Sequence, residues 1–101
     1  MEHIGRIEQP VGTACPTLAL VGEFDLSNAP DLVILFDEFA DRGETRVVVD
    51  MSETSFIDST VLGAFGLAYR RGLHLTIRGA ADVVRRQLDA SGLAAIFDIE
   101  T

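Results

Sequence analysis

Lysine is absent from this 101-residue chain, and all eight of its positive charges are arginines. That omission removes a P-loop lysine, a Schiff-base lysine and the lysine that completes a receiver-type phosphoacceptor site. Cysteine occurs once, at Cys15, so no disulfide can form within the chain. With His3 and His74 as the two histidines, the roughly four Cys or His ligands of a structural zinc site are not there either. Cys15, followed by Pro16, reads as a small apolar strand residue rather than a nucleophile. Positive charge is scarce as well: 8 Arg stand against 16 Asp and Glu, a net charge of −8 spread along the chain. Binding to a phosphate backbone depends on clustered positive charge, so nucleic acid and anionic lipid are poor partners and a basic protein surface is a better one. No window approaches the ~18 apolar residues of a membrane helix. The N-terminus, M-E-H-I-G-R-I-E, lacks a basic region followed by an apolar run. The expected location is the cytoplasm.

What is present suffices for one domain with one core, since 48% of the residues are hydrophobic. Residues 3–8 form a weak strand pattern, residues 9–12 (Q-P-V-G) a turn, and residues 17–24 (T-L-A-L-V-G-E-F) a better strand. So short a connection cannot make a parallel crossover, so these two strands pair antiparallel. A helix follows, with Ser27 or Asn28 as its cap, Pro30 in its first turn and Asp31 near its positive end. Leu32, Leu35, Phe36 and Phe39 give it one apolar stripe, and Gly43 stops it. Val33 and Ile34 lie off the stripe and imply a widely buried helix or an apolar patch offered to a partner, the former being the better reading. Val47, Val48 and Val49 read as a strand covered on both faces, closed by Asp50. A second helix begins at or beside Ser59 with a stripe of Leu62, Phe65, Gly66 and Tyr69; Gly63, Ala64 and Ala68 keep its other face small, and Gly72 ends it. Residues 73–78 (L-H-L-T-I-R) alternate as a strand, with His74 on the side away from Leu73 and Leu75. Residues 81–90 form a third helix built on Val83, Val84 and Leu88, and residues 95–99 a last strand. The order β-β-α-β-α-β-α-β predicts an α/β fold: a mixed sheet with an antiparallel N-terminal pair followed by parallel βα units.

In such sheets partners meet the protein beyond the carboxyl ends of strands, which directs attention to residues 50–60. Asp25, Asp50 and Asp58 lie at predicted strand ends and could be read as a divalent-metal cluster, carboxylates being suitable magnesium ligands. Without a lysine no cation awaits a transferred phosphoryl group, and caps and turns explain the acids as well. Hydrolysis by Ser59 would need a base within reach, and neither histidine falls near this turn. The hydroxyls of Ser55, Ser59 and Thr60 leave two readings open. Ser59 at the helix start serves as a plain cap, or it is a phosphate acceptor whose oxygens the exposed amides of the first turn receive.

The run V-V-V-D-M-S-E-T-S-F-I-D-S-T-V-L-G, starting at Val47, resembles the signature of the STAS domain, shared by sulphate transporters and anti-sigma factor antagonists, and within it the bacterial anti-sigma factor antagonists. G-E-F-D at residues 22–25 resembles the family's G-E-x-D turn before the first helix, and L-D-A-S-G-L at residues 88–93 its segment after the third. The resemblance implies a STAS-type single domain over residues 1–101. It implies no cofactor and no enzymatic activity, but an anti-sigma factor of the serine-kinase type as partner. That kinase would phosphorylate Ser59, and a protein phosphatase would restore the active form. The site it implies comprises Ser59 as acceptor, with Asp25, Asn28, Asp58, Ser59, Thr60, Val61, Leu62 and Gly63 binding the partner. Val61 departs from the family's frequent Gly and is expected to change the shape offered to the partner. Many relatives continue into a C-terminal helix, which this chain is expected to lack, either because the helix is dispensable here or because the sequence is trimmed; in the second case the last strand lies exposed and invites weak homo-oligomer formation. A second reading from the same family is a STAS subunit that supports a membrane transporter or signalling complex, with Ser59 never phosphorylated.

Overall fold

A computed structural model of the protein describes residues 5–100. Strand β1 (Arg6–Glu8) runs antiparallel to β2 (Thr17–Phe24), with Ile7 opposite Leu20; His3 of the expected first strand lies outside the described residues. Beyond β2 the sheet is parallel, through β3 (Arg46–Asp50), β5 (His74–Arg78) and β6 (Asp98–Ile99), in the order β1-β2-β3-β5-β6. A further strand, β4 (Thr54–Ile57), pairs in parallel with the second half of β2. The sequence expectation read that segment as turn. Its outer residues Thr54 and Ile57 are buried while Ser55 and Phe56 between them are exposed, a pattern with no period of two to betray a strand.

The splitting of β2 between two partners starts at a glycine. Gly22 has φ +96°, a conformation that side chains with a Cβ rarely adopt, and the β2–β4 register shifts between Gly22 and Glu23. The first half of β2 follows β3, with Ala19 opposite Asp50; after the bulge Phe24 lies opposite Ile57 of β4. The Gly22 amide bonds to the Glu53 carbonyl at 2.9 Å, and the buried Thr54 hydroxyl donates to the Leu20 carbonyl at 2.6 Å. A buried hydroxyl costs free energy unless it is hydrogen-bonded, and Thr54 meets that demand while pinning β4 to β2.

Burial alternates along β2, β3 and β5, which places Leu18, Leu20, Val47, Val49, Leu75 and Ile77 in one core. Val48 is half-buried, so β3 is not equally covered on its two faces as the unbroken valines suggested. Helix α1 (Ala29–Asp41) buries Ala29, Leu32, Phe36 and Phe39; Leu35 and Val33 are half-buried, and Ile34 stays 56% exposed. Neither expected side chain caps it, because Ser27 and Asn28 spend their hydrogen bonds on the preceding turn. Helix α2 (Ser59–Arg70) buries Val61, Ala64, Phe65 and Ala68 rather than the expected Leu62, Phe65, Gly66 and Tyr69. Small side chains at Ala64 and Ala68 let the helix backbone come close to the core. Phe65 then meets Phe36 edge-on at 6.1 Å, and Tyr69 turns outward against Phe97. Arg71 ties the end of α2 to Asp37 and Asp41 of α1 at 2.7 and 2.6 Å. Helix α3 (Asp82–Ala90) buries Val84 and Leu88, whereas the expected core residue Val83 is 60% exposed. The last strand is shorter than expected, because Leu93–Ala95 forms a single 3₁₀ turn after Gly92.

Candidate functional site

Asp25 follows Phe24 and Asp58 follows Ile57, and because those two residues are register partners the two acids leave the sheet at the same end. Asp50 does not join them: it sits opposite Ala19, back along β2, where its carboxylate accepts the Ser52 amide at 2.9 Å. Among the described residues, no three His, Cys, Asp or Glu side chains are grouped to hold a metal ion. His74 starts β5 opposite Arg46, the first residue of β3, and therefore lies at the other end of the sheet, half-buried, 3.0 Å from Asp98.

The turn carrying Asp25 is held from within. Its carboxylate accepts the Ser27 amide at 2.9 Å and the Ser27 hydroxyl at 2.6 Å. The hydroxyl first, and then the amide, hold the carboxyl below its ordinary range. Half-buried Asn28 accepts the Asp25 amide at 2.8 Å and donates to the Glu23 carbonyl at 2.9 Å, so both ends of its carboxamide serve the turn. Gly5 fits beneath: a Cβ there would lie 2.2 Å from the Glu23 carbonyl oxygen and 2.7 Å from the Asn28 amide nitrogen.

Helix α2 is capped by Asp58, which removes the reading of Ser59 as a plain cap. In extended backbone at φ −120° and ψ −176°, Asp58 accepts the amides of Thr60 at 2.9 Å and Val61 at 3.4 Å. The same oxygen takes the hydroxyl of Thr60. The amides expected to await a phosphate are thus already bonded to a carboxylate. Ser59 is the first helical residue; it is exposed, and its hydroxyl has no hydrogen-bond partner among the described residues. Of the three candidate hydroxyls, Ser55 in β4 and Ser59 at the start of α2 are exposed with no hydrogen-bond partner among the described residues, whereas Thr60 is half-buried and bonded to Asp58.

Of the other named positions, Leu62 is half-buried and Gly63 exposed. Val61 has no exposed surface, so the shape it was expected to offer a partner is not on the outside; its part is to seat the first turn of α2 in the core. Two residues that the sequence did not single out flank the acids, Leu26 at 70% and Phe56 at 48% exposure. Phe56 lies in the strand that went unread, and Leu26 next to Asp25 gave no periodic signal. Among the described residues, ion pairs join Arg6 to Glu8, Arg71 to Asp37 and Asp41, and Arg78 to Glu100, and none reaches Glu23, Asp25 or Asp58.

The architecture is that of a known class of small mixed-sheet domains. The anti-sigma factor antagonist SpoIIAA in its unphosphorylated form superposes with a TM-score of 0.74 at 14% identity, over 97% of this chain and 88% of that one. The Bacillus cell fate determinant SpoIIAA in its phosphorylated form gives 0.68 at 19% identity, over 97% and 92%. This protein belongs to the STAS domain family: a family model described as "Mlab, STAS domain" matches residues 9–98. An anti-sigma-B factor antagonist from Listeria monocytogenes is 28% identical over 85 residues, 80% of this chain and 75% of that protein. Among the described residues, no helix is long and apolar enough to cross a membrane.

Proposed function

We propose that the protein is an anti-sigma factor antagonist that works by partner switching. Unphosphorylated, it binds an anti-sigma factor of the serine-kinase type and so frees a sigma factor for transcription, as in a bacterial stress response. The kinase phosphorylates Ser59 and ends the interaction, and a protein phosphatase reverses the modification. The chain is then a substrate of two enzymes and catalyses nothing itself.

The observation that carries this reading is the division of labour at the start of α2, where Asp58 caps the helix and Ser59 is left exposed and uncommitted. A plain helix cap would spend its hydroxyl on an amide; this serine does not. A phosphate on Ser59 would add up to two negative charges beside a carboxylate that already occupies the nearby amides. Such charge disfavours docking by repulsion and by the cost of desolvating it. The relatives named as anti-sigma factor antagonists, one of them known with and without phosphate, point the same way.

The test is incubation with ATP and kinase-type anti-sigma factors encoded nearby, read by intact mass. One added phosphate that disappears in Ser59→Ala is the expected result. Stable binding with no phosphate under any condition would support the scaffold reading instead.

A further inference from the structure

Strand β4 is four residues long, and its strand partner is β2. Its last carbonyl, that of Ile57, receives a hydrogen bond at 3.0 Å from Nε2 of Gln87, thirty residues further along the chain on α3. Val84 and Leu88, both fully buried, fix α3 to the core, so the half-buried Gln87 reaches β4 from a seated helix. The Ile57 carbonyl and the Asp58 amide belong to one rigid peptide plane. Fixing that plane sets the direction from which Asp58 enters its cap conformation. The Asp58 carboxylate in turn holds the amides of Thr60 and Val61 and the Thr60 hydroxyl. The path from Gln87 to the acceptor is thus one side-chain hydrogen bond, one peptide plane and one carboxylate.

We propose that Gln87 is a positioning residue for Ser59: its amide holds the Ile57–Asp58 peptide so that the Ser59 hydroxyl is presented and the Thr60 hydroxyl withheld. The proposal deepens the reading of Ser59 as acceptor and rests on it for its second half only. Gln87→Glu keeps the shape but loses the donor when ionised, and Gln87→Leu loses it without adding charge; both leave the Ile57 carbonyl short of a partner.

Amide hydrogen exchange tests the first half without any kinase. In both variants the Thr60 and Val61 amides should exchange about tenfold faster, while the core amides of β5 keep their rates. Unchanged exchange at Thr60 and Val61, or an equal rise throughout β5, would reduce Gln87 to ordinary packing and overturn the proposal. Site mapping after phosphorylation tests the second half: phosphate confined to Ser59 in the native protein should spread to Thr60 in the variants. Confinement to Ser59 in variants whose turn has loosened would overturn the control of selectivity. If no kinase modifies the native protein, the acceptor reading fails, and the exchange data still decide whether Gln87 holds the turn.

Discussion

Asp58 and Thr60 close on each other at the start of α2, the Thr60 hydroxyl and amide both donating to one oxygen of the Asp58 carboxylate. The pair makes the cap from the two residues that flank Ser59, and so frees the serine from capping. A helix start built this way keeps its stability when the serine is modified, because the cap does not depend on the serine's oxygen.

Asp58→Ala should therefore cost about 1 kcal/mol through loss of the cap. It should also release the Thr60 hydroxyl, so that phosphate appears on Thr60 as well as Ser59. Urea unfolding reads the first effect and peptide mapping the second. Native stability in Asp58→Ala would show that the cap contributes nothing.

Phe65→Ala should destabilise by about 3–5 kcal/mol, because it empties a fully buried site against Phe36. Tyr69→Ala, on the expected stripe but 51% exposed, should cost much less. Denaturant midpoints of the two variants compare the two faces directly; equal losses would place Tyr69 in the core after all.

Gly5→Ala should lower stability by about 1–3 kcal/mol, since its Cβ would press on the Glu23 carbonyl at 2.2 Å. The backbone there cannot yield without moving the turn that carries Asp25 and Asn28. A thermal melt of the variant matching that of the native protein would contradict the close fit.

Asp25 supplies a prediction in pH. Its carboxyl is held low by the Ser27 hydroxyl and amide. The stabilisation this gives is present above the unfolded carboxylate value of about 3.9 and disappears as pH falls through the lower folded value. Ser27→Ala removes the larger cause and should move the Asp25 titration upward toward the ordinary value. An NMR titration of the carboxyl carbon would show it, and an unmoved midpoint would assign the effect elsewhere.

Residues 17–24 run into G-E-F-D, and β2 was legible to its bounds; the antiparallel pairing of the first two strands and the parallel direction of β3, β5 and β6 were legible too, but not where β1, β5 and β6 begin. Residues 54–57 were not, because a four-residue strand with two exposed residues at its centre has no periodicity to read. In α2 the same spacing fits two offsets, Leu62-Phe65-Gly66-Tyr69 and Val61-Ala64-Phe65-Ala68. Side-chain size favoured the first; the close approach of helix to core, which no local pattern encodes, selected the second. The position of Ser59 was legible from its motif. Its freedom from capping was not, because either Asp58 or Ser59 suits a cap by type, and only backbone geometry decides between them.

The central claim is that a phosphate on Ser59 closes a docking surface that is otherwise open. Isothermal calorimetry of the native protein and its Ser59-phosphorylated form against the same anti-sigma factor tests it most directly, with Ser59→Asp as a single-charge comparison. The phosphorylated form should bind at least about tenfold more weakly, with an unchanged circular dichroism spectrum and Ser59→Asp between the two. Equal affinity of the two forms would contradict the account.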